Sequence, residues 1–196
     1  MIDDEIKFDE NPTEAFNKDR YVLHEVKKII KKYNIKNIFE TGTYLGATTK
    51  VLSALVQNIY TVECNSSYFK KSEEFLKNCK NVKMYLGNSP EIMSKIIPNL
   101  KGNTLFFLDA HWYNYCPLID EIKTIEKYKK ENPVLIVHDF KVPGKNFGYD
   151  SYNGQDYEYS WVEPHIKSLY SNKFTYKYND VAEGSNRGVL YIFPSD

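Results

Sequence analysis

Several kinds of residue and segment are scarce in this sequence, and each scarcity excludes a class of protein. Cysteine occurs three times, an odd number with no Cys-x-x-Cys pair, so neither a disulfide framework nor a zinc knuckle is indicated. No stretch approaches the roughly 18 consecutive apolar residues that a transmembrane helix needs. The first residues are acidic, without the basic region and apolar run of a secretion signal. We therefore expect a reduced, cytoplasmic protein without membrane association.

Net charge is also lacking, because 26 Lys and Arg residues balance 26 Asp and Glu residues. Such a chain has no overall field that would attract nucleic acid, so we expect a small or neutral partner and no nucleic-acid partner. Arginine is rare, with only Arg20 and Arg187, and the sequence alone assigns these two residues no function. The length of 196 residues fits one domain. We expect residues 1–14 to form a flexible arm and residues 15–196 to form a single domain.

Short apolar runs alternate with amphipathic segments along the chain. Apolar residues at helical spacing from Phe16 to Tyr33 predict a first helix that ends near residue 34. Five strands are predicted at residues 37–40, 59–63, 82–86, 104–109 and 134–138, and helices near residues 46–57, 67–79, 89–97 and 117–131. Residues 174–178 and 189–193 predict an antiparallel hairpin that closes the sheet. The rhythm predicts an α/β fold: a Rossmann-like, doubly wound, seven-stranded and mostly parallel sheet with one antiparallel strand.

Residues 139–160 contain four glycine or proline residues and no periodicity, which predicts a long loop beyond the carboxyl end of the fifth strand. In open α/β sheets ligands bind at that edge, so the loop is a candidate lid. Its aromatic side chains could stack on a ring or sugar, or they could only pad an exposed loop. These side chains are Tyr149, Tyr152, Tyr157, Tyr159 and Trp161.

A glycine-containing turn follows the first predicted strand. Glu40 ends that strand, Gly42 comes two residues later, and Gly46 opens the next helix. Glycine permits a sharp turn with positive φ and the close approach of a ligand. A nicotinamide-cofactor fingerprint would need glycine at positions 42, 44 and 47, but the latter two hold Tyr44 and Ala47. The Gly-Lys-Ser/Thr of a P-loop does not follow either, so both kinds of phosphate-binding loop are disfavoured.

The spacing Glu40-x-Gly42-x-x-x-Gly46 resembles the signature of class I S-adenosylmethionine (SAM)-dependent methyltransferases. In that family the glycine loop packs under the methionine part of the cofactor, and the acid helps to hold it. The resemblance implies that Glu40, Gly42 and Gly46 lie against the cofactor, with Thr43 and Thr48 of the same loop. The alternative is an ordinary strand-to-helix turn that needs glycine only for its geometry.

Two further strand ends extend the resemblance, which covers roughly residues 35–193. Glu63 ends the second strand, where a carboxylate can accept hydrogen bonds from both ribose hydroxyls and where family members carry an acid. Asn88 and Ser89 follow the third strand, where the family often has Gly-Asp-Ser or Gly-Asp-Ala around the adenine. The resemblance therefore implies that Asn88 and Ser89 bind the cofactor, although Ser89 could instead serve as the N-cap of the next helix.

Two acids and two histidines follow the fourth and fifth predicted strands. Asp109 and His111 follow the fourth, and His138 and Asp139 come at the end of the fifth. Neighbouring parallel strands would bring Asp109 and Asp139 together, and paired carboxylates suit a hard cation such as Mg²⁺. We predict a divalent-metal site formed by Asp109, Asp139 and His138. The arrangement resembles metal-dependent O-methyltransferases that act on phenols or sugars, in which the metal holds the acceptor hydroxyl.

The match to those enzymes is partial. Phenol-directed members follow the second acid with Asn, where this chain has Phe140, and carry a lysine where it has Trp112. Sugar-directed members often show two consecutive acids, where this chain has His138 and Asp139. Metal binding is accordingly a hypothesis that rests on the paired strand-end acids.

His111 is the first choice for the general base, because imidazole titrates near neutral pH and can take the proton of a hydroxyl. The alternative is a histidine that only packs or hydrogen-bonds beside Trp112. Asp109 is assigned to both the catalytic and the cofactor-binding set.

These residues together predict a SAM-dependent methyltransferase that methylates a hydroxyl of a small molecule or saccharide. Two other functions stay open, a nucleotide-linked oxidoreductase and a non-catalytic Rossmann-like binding module. The sequence leaves the oligomeric state open, with a homodimer as one alternative.

Overall fold

The computed structural model describes residues 12–111, 115–129 and 133–195. In this part of the chain the α-helices are α1 Arg20–Lys32, α2 Ala47–Ser53, α3 Ser66–Leu76, α4 Ser89–Ile96, α5 Leu118–Tyr128 and α6 Tyr159–Leu169. The strands are β1 Asn37–Thr41, β2 Asn58–Glu63, β3 Val82–Leu86, β4 Thr104–Leu108, β5 Val134–His138, β6 Ser151–Tyr152, β7 Gln155–Asp156, β8 Phe174–Tyr178 and β9 Val189–Pro194. Short 3₁₀ segments span Pro12–Lys18 and Ile97–Asn99.

Seven strands form one sheet in the order β3-β2-β1-β4-β5-β9-β8, and β6 pairs with β7 in a separate hairpin. Strand β9 is antiparallel to both β5 and β8, whereas the other neighbouring pairs of the large sheet are parallel. The predicted α/β fold, with a seven-stranded, mostly parallel sheet and one antiparallel strand, is therefore confirmed. None of the helices in the described ranges is long and apolar enough to cross a membrane.

The central strands are apolar throughout because helices cover both faces of the sheet. Every residue of β1, β4 and β5 is buried. Side chains alternate between two cores along each strand, so Phe39 and Phe106 pack on one face and Ile38 and Phe107 on the other. The first core includes residues of α4, α5 and α6, and the second includes residues of α1 and α2.

The chain order across the sheet reverses next to β1. Strands β2 and β3 lie on one side of β1, and the other four follow on the opposite side in the order β4, β5, β9 and β8. The register aligns the carboxyl ends, because Thr41 is paired with Val62 of β2 and with Leu108 of β4. Ligands of open α/β sheets bind in the crevice outside the strand ends at such a reversal. The fold therefore gathers the loops after β1, β2 and β4 around one crevice.

The first helix begins later than the apolar spacing predicts. Asp19 is its N-cap, and the carboxylate accepts the backbone N–H groups of Tyr21 and Val22. Phe16 lies before this cap in left-handed backbone with φ of 51°, yet its side chain is buried against Phe107. The apolar pattern thus included a residue that packs in the core without being helical. Of the predicted arm, residues 1–11 lie outside the described part of the chain.

The segment predicted as one long loop, residues 139–160, contains the hairpin β6–β7 and the start of α6. Backbone hydrogen bonds fix it along its length. Lys141 N–H donates to the Tyr157 carbonyl at 2.7 Å, and Gly148 N–H donates to the Asn186 carbonyl at 2.7 Å. Residues 139–150 match the predicted long loop, and the sequence did not predict the hairpin after them because strands of two residues leave no periodicity to recognise.

Candidate functional site

The turn after β1 brings the backbone of Gly42 against the end of β4. Gly42 has φ of 85°, and its N–H donates to the Val62 carbonyl at 2.9 Å. A β-carbon on Gly42 would lie 2.5 Å from the carbonyl oxygen of Asp109. Gly46, the N-cap of α2, also has φ of 85°, and a β-carbon there would meet the Leu76 side chain at 3.0 Å. The left-handed backbone favours glycine at both positions, and at Gly42 the contact with backbone atoms leaves no room for a side chain. Contact of either glycine with a cofactor stays a prediction.

Glu40 lies beneath the turn and not at its surface, since only 1% of it is exposed. Its Oε2 accepts hydrogen bonds from the hydroxyls of Thr49 at 2.5 Å and Thr61 at 2.7 Å. Burial raises the pKa of Glu40 to about 7, against the smaller lowering effect of these two hydroxyls. The acid therefore ties β1 to β2 and α2 under the glycine turn. Sequence reasoning missed Thr49 and Thr61, and the predicted contact of Glu40 with the cofactor is not tested by these bonds.

Two threonines predicted to bind the cofactor have hydrogen-bond partners within the protein. Thr43 is buried, and its hydroxyl lies 2.6 Å from that of Thr61. Because Thr61 already donates its one proton to Glu40, Thr43 is the donor in this contact. Thr48 is half-buried, and its Oγ1 accepts the backbone N–H of Phe16 at 3.0 Å. Thr48 thereby links α2 to the segment before α1.

Glu63 lies at the carboxyl end of β2, next to the glycine turn. Its two oxygens accept backbone N–H groups, Oε2 from Tyr44 at 2.7 Å and Oε1 from Asn65 at 2.8 Å. Asn65 in turn is the N-cap of α3. The carboxylate is 6% exposed and is held in place from both sides. The Cys64 thiol is a further, weak donor to Oε1 at 3.7 Å, so of the roughly four lone-pair sites of the carboxylate the open one lies on Oε2.

Asn88 and Ser89 follow Gly87 at the end of β3, and their side chains have different contacts. Ser89 is buried and donates its hydroxyl to Glu121 Oε1 at 2.5 Å, which joins α4 to α5. Burial raises the pKa of Glu121 to about 7. Asn88 occupies the N-cap position of α4 without a capping bond, and its Oδ1 is buried with no hydrogen-bond partner among the described residues. An unpaired buried acceptor is costly, so Asn88 marks a place where a donor from outside the protein would fit.

The strand-end acids meet beside His138. Its Nδ1 lies 3.2 Å from Asp109 Oδ1 and 3.0 Å from Asp139 Oδ1, and it is aligned for a hydrogen bond with neither. Burial opposes the charged ring, but the two carboxylates outweigh it and raise the pKa of His138. Burial also acts to raise the pKa of both acids. It prevails at Asp109, whereas at Asp139 the charges of His138 and Arg187 outweigh it and lower the pKa.

A metal ligand must be the neutral imidazole, whereas this environment favours the charged ring of His138. The side chain is also only 1% exposed. The structure thus places His138 next to both predicted metal-binding acids, buried between them. Its role as a metal ligand stays a prediction.

Arg187 and Asp150 complete this group of charges, and sequence reasoning missed both. Arg187 Nε donates to Asp139 Oδ1 at 2.5 Å, and Arg187 Nη2 donates to Asp150 Oδ1. Asp139 has φ of 57°, which is uncommon for a residue other than glycine and tends to occur at functional sites. One signal was present in the sequence, because Arg187 is one of only two arginines in the chain.

His111 stands at the open side of this group, with 54% of its side chain exposed. Its Nδ1 lies 3.8 Å from Asp150 Oδ2. Ligand atoms of Asp109, His111 and Asp139 all lie within 4.8 Å of one another. The structure therefore brings the predicted general base together with both predicted metal-binding acids. Trp112, the packing partner considered for His111, lies outside the described residues.

The aromatic residues of the predicted lid differ in exposure. Tyr157 is 4% exposed, and its ring centroid lies 5.6 Å from that of the half-buried Trp161. Tyr159 is also half-buried, in the first turn of α6. Tyr149 is 37% exposed and Tyr152 is half-buried. Tyr152 is in contact with the candidate site, because its hydroxyl donates to Asp150 Oδ2 at 3.4 Å.

Sequence comparisons find no matching family model and no matching curated protein. Solved structures match over most of the chain. TomG, an O-methyltransferase from Streptomyces achromogenes involved in tomaymycin synthesis and solved in complex with SAM, is 14% identical with a TM-score of 0.65. The match covers 88% of this chain and 78% of TomG. An O-methyltransferase from Bacillus cereus in complex with SAH is 12% identical with a TM-score of 0.62, covering 90% of this chain and 81% of that one.

An rRNA methylase from Streptococcus thermophilus is also similar, with 13% identity and a TM-score of 0.57 over 89% of this chain and 97% of that chain. At such low identity these matches establish the fold, which this chain shares with SAM-dependent methyltransferases. The fold alone does not determine the acceptor, because both O-methyltransferases and an rRNA methylase have it.

Proposed function

We propose that the chain is a SAM-dependent methyltransferase that transfers the methyl group to a hydroxyl of a small molecule or saccharide. One observation carries the proposal: at the reversal of strand order the carboxyl ends of β1, β2 and β4 are aligned, with the Gly42 backbone against that of Asp109 and the Glu63 carboxylate bonded to the next turn residue, Tyr44. The fold shared with O-methyltransferases solved with SAM and SAH supports the same function.

The chemistry of these side chains fits the cofactor. Glu63 would accept one ribose hydroxyl at the open site of Oε2 and the other at Oε1, where it would displace the weakly donating, exposed Cys64 thiol. Asn88 Oδ1 would accept the exocyclic amino group of adenine, which would satisfy a buried acceptor that has no partner in the protein. Gly42 has no side chain to obstruct the crevice. When bound, SAM supplies a methyl group on a sulfonium, which is an excellent leaving group.

Because the sulfonium needs little activation, the protein itself has to align the acceptor, exclude water and remove a proton. His111 is proposed to accept the proton of the hydroxyl, since it is exposed at the site, beside Asp109 and Asp139, and an imidazole nitrogen can act as a general base. Asp109 is proposed to contact both cofactor and acceptor. Its backbone abuts Gly42, and its carboxylate, 25% exposed, lies close to His111.

A divalent cation such as Mg²⁺ is a further part of the proposal. Asp109 and Asp139 offer carboxylate oxygens, which suit this ion, and His111 offers a nitrogen within the same 4.8 Å group. His111 is proposed as the third ligand in place of His138, because its ligand atom lies with those of Asp109 and Asp139 and the His138 side chain is only 1% exposed. The cation would supply a positive charge that lowers the pKa of the acceptor hydroxyl. It would share Asp139 with Arg187, which already holds one of its oxygens.

The charges around the site support a neutral or cationic acceptor. Arg187 is bonded to two aspartates, and Lys141 is bonded to Asp156 at 2.6 Å and Glu158 at 3.2 Å. Both cations are therefore engaged within the protein. Together with the balanced total charge, this argues against a nucleic-acid acceptor and against binding to an anionic membrane. We expect a cytoplasmic enzyme, and a homodimer is compatible with the proposal.

The test measures cofactor binding and turnover separately. Titration of SAM, SAH and NADH into the purified chain should give heat with SAM and SAH only. Glu63→Gln should weaken SAM binding roughly 10- to 100-fold, since one charged hydrogen bond contributes about 1.5–3 kcal/mol. Glu74→Gln, on the exposed face of α3, is the matched control and should bind like the wild type.

Turnover is then followed as SAH formation with catechols, other phenols and free sugars as acceptors. SAH formation dependent on one acceptor class supports the proposal. Binding of NADH in place of SAM would identify the nucleotide-linked oxidoreductase, and SAM binding without SAH formation on any acceptor would favour the non-catalytic module.

A further inference from the structure

Arg187 joins two loops that both reach the candidate site. Its backbone pairs with Gly148, whose carbonyl accepts the N–H of Gly188 at 2.9 Å. The next residue, Gly188, packs closely against the backbone after β5, because a β-carbon on Gly188 would lie 2.0 Å from the Phe140 carbonyl oxygen. From this position the guanidinium bonds Asp139 with Nε and Asp150 with Nη2. Arg187 therefore fixes the carboxylate of Asp150 relative to the end of β5.

Asp150 is held by its backbone as well as by its side chain. Its N–H donates to the Asp139 carbonyl at 2.9 Å, and its own carbonyl accepts the Tyr157 N–H at 2.9 Å. Arg187 takes Oδ1, while Oδ2 receives the Tyr152 hydroxyl at 3.4 Å and faces His111 Nδ1 at 3.8 Å. The same carboxylate thus has one oxygen committed to the protein and the other turned toward the exposed imidazole.

We propose that Asp150, fixed by Arg187, is a positioning residue that holds the proton of His111 on Nδ1 and leaves Nε2 for the acceptor. The proposal rests on the proposed function, in which His111 is the reacting imidazole. A carboxylate beside one ring nitrogen sets which nitrogen carries the proton and how the ring is oriented. This holds whether Nε2 takes a proton or binds a cation, because both tasks need an unprotonated Nε2.

At 3.8 Å the contact between His111 and Asp150 is an ion-pair distance and not a hydrogen bond. Such contacts are often long without substrate and shorten in the complex. The His111 ring is 54% exposed and so can rotate toward Asp150, whereas the Asp150 side chain is 19% exposed and anchored. We therefore expect the His111 ring, and not the Asp150 carboxylate, to move when the contact shortens.

The anchoring gives Asp150→Asn a specific expected effect. The Arg187 guanidinium has only hydrogen-bond donors, so in Asp150→Asn it would stay bonded to the one amide oxygen of the substituted side chain. The amide nitrogen would then face His111, and a donor at this place would force the ring proton onto Nε2. A role limited to fastening the loop predicts no such change, because the amide keeps the bond to Arg187.

The first measurement is the ring-proton position of His111 by ¹⁵N NMR of the full chain with SAH in chelator, over a pH series and at the pH values where the spectrum shows a single ring proton. His111→Gln identifies its signal among the four histidines. The proposal expects the proton on Nδ1 in the wild type and on Nε2 in Asp150→Asn. Arg20→Gln is the matched control, since Arg20 also bonds a carboxylate through Nε and Nη2, that of Glu183. It should leave the His111 signal unchanged.

A wild-type proton on Nε2 would overturn the proposal without any variant, and so would an unchanged proton position in a folded Asp150→Asn. If Asp150→Asn does not fold, Arg187→Gln is the second variant. It frees Asp150 from its anchor and should reduce the Nδ1-protonated fraction, whereas an unchanged fraction would contradict the proposal.

The second measurement separates kcat from cofactor binding. Asp150→Asn should lower kcat about 10- to 100-fold, the usual effect of removing a residue that orients a catalytic group, with the Kd for SAM unchanged within about 2-fold. An unchanged kcat would overturn the proposal. Absence of turnover in the wild type with every acceptor would instead count against the proposed function, while the NMR result would still decide the contact between Asp150 and His111.

Discussion

The carbonyl oxygen of Asp109 lies 2.5 Å from the point that a β-carbon on Gly42 would occupy. Backbone atoms cannot move away as a flexible side chain can, so the close approach of β1 and β4 depends on glycine at this position. Gly42→Ala should therefore destabilise the fold and weaken SAM binding together. Gly144→Ala is the matched control, because Gly144 has φ of 74° with no atom within 4 Å of its added β-carbon.

In the control the free energy of unfolding should fall only by the cost of placing alanine in left-handed backbone, about 1–2 kcal/mol. In urea-induced unfolding, Gly42→Ala should lower the free energy of unfolding by at least about 1 kcal/mol more than the control does. This is the lower end of the usual cost of forcing extra volume into a packed site. Equal losses in the two variants would show that the contact with Asp109 is relieved without difficulty.

Glu40 makes the stability of the protein depend on pH. Its pKa is raised from 4.5 to about 7 by burial, so the folded chain binds a proton between these values that the unfolded chain has released. Stability from this group is greatest below pH 4.5 and falls as pH rises toward 7, by about 3 kcal/mol in total. Glu40→Gln keeps an oxygen for Thr49 and Thr61 and cannot ionise, so its unfolding free energy should lack this fall.

The measurement is the difference in unfolding free energy between wild type and Glu40→Gln from pH 4.5 to 8.5. The difference should change in favour of the variant as pH rises. Glu74→Gln, which alters an exposed acid, should follow the wild type across the range. A parallel pair of curves for Glu40→Gln and wild type would mean that the buried carboxyl ionises without cost.

The order of strands and helices could be predicted because a parallel sheet buried on both faces leaves continuous apolar runs in the sequence. Strands β3, β5 and β8 begin and end at the predicted residues. Helix ends were less predictable. The spacing extended α2 to residue 57, but it ends at Ser53, where the N–H groups of Ala54 and Leu55 turn back to carbonyls three residues earlier. Amphipathic spacing does not register that tightening of the last turn.

The strand-end acids were also predictable, since neighbouring parallel strands bring their carboxyl ends to one edge. Arg187 and Asp150 were not, because their bonds join loops 37 and 48 residues apart in the chain. The position of Glu40 shows a second limit. It shares a face of β1 with Ile38 and lies under α2, whereas a motif indicates only that an acid ends the strand.

Asn88 should affect stability and cofactor binding in opposite directions. Its Oδ1 is buried without a partner among the described residues, and it makes no capping bond, so Asn88→Leu removes an unpaired acceptor at little cost. The variant should be as stable as the wild type or more stable, yet bind SAM roughly 3- to 10-fold more weakly through loss of one neutral hydrogen bond.

Asn81→Leu provides the opposite pattern as a control. The Asn81 amide donates to the carbonyls of Ser53 at 2.8 Å and Val56 at 3.0 Å, so its loss should lower stability. SAM binding should stay unchanged, because these bonds lie at the amino end of the strands. Unchanged SAM affinity in Asn88→Leu would remove Asn88 from the cofactor site.

His111→Ala should lower turnover far more than it weakens SAM binding. Loss of a general base costs about 100- to 10,000-fold in rate, whereas the cofactor is held by other residues. Steady-state kcat with the best acceptor and the Kd for SAM are the two measurements. His165→Ala, on α6, is the control and should retain full turnover. An unaltered kcat in His111→Ala would exclude this residue from the mechanism.

The cation can be tested on the same variants. Mg²⁺ or Mn²⁺ titrated into the chain with SAH should release or absorb heat, and Asp109→Asn should abolish the signal because it removes a charged oxygen ligand. Asp156→Asn, an acid bonded to Lys141 and outside the group, should bind the ion like the wild type. If His111 is a ligand, His111→Ala should weaken cation binding as well as lower turnover. If it is only the general base, the heat of cation binding should persist. No heat together with full turnover in chelator would contradict the cation proposal.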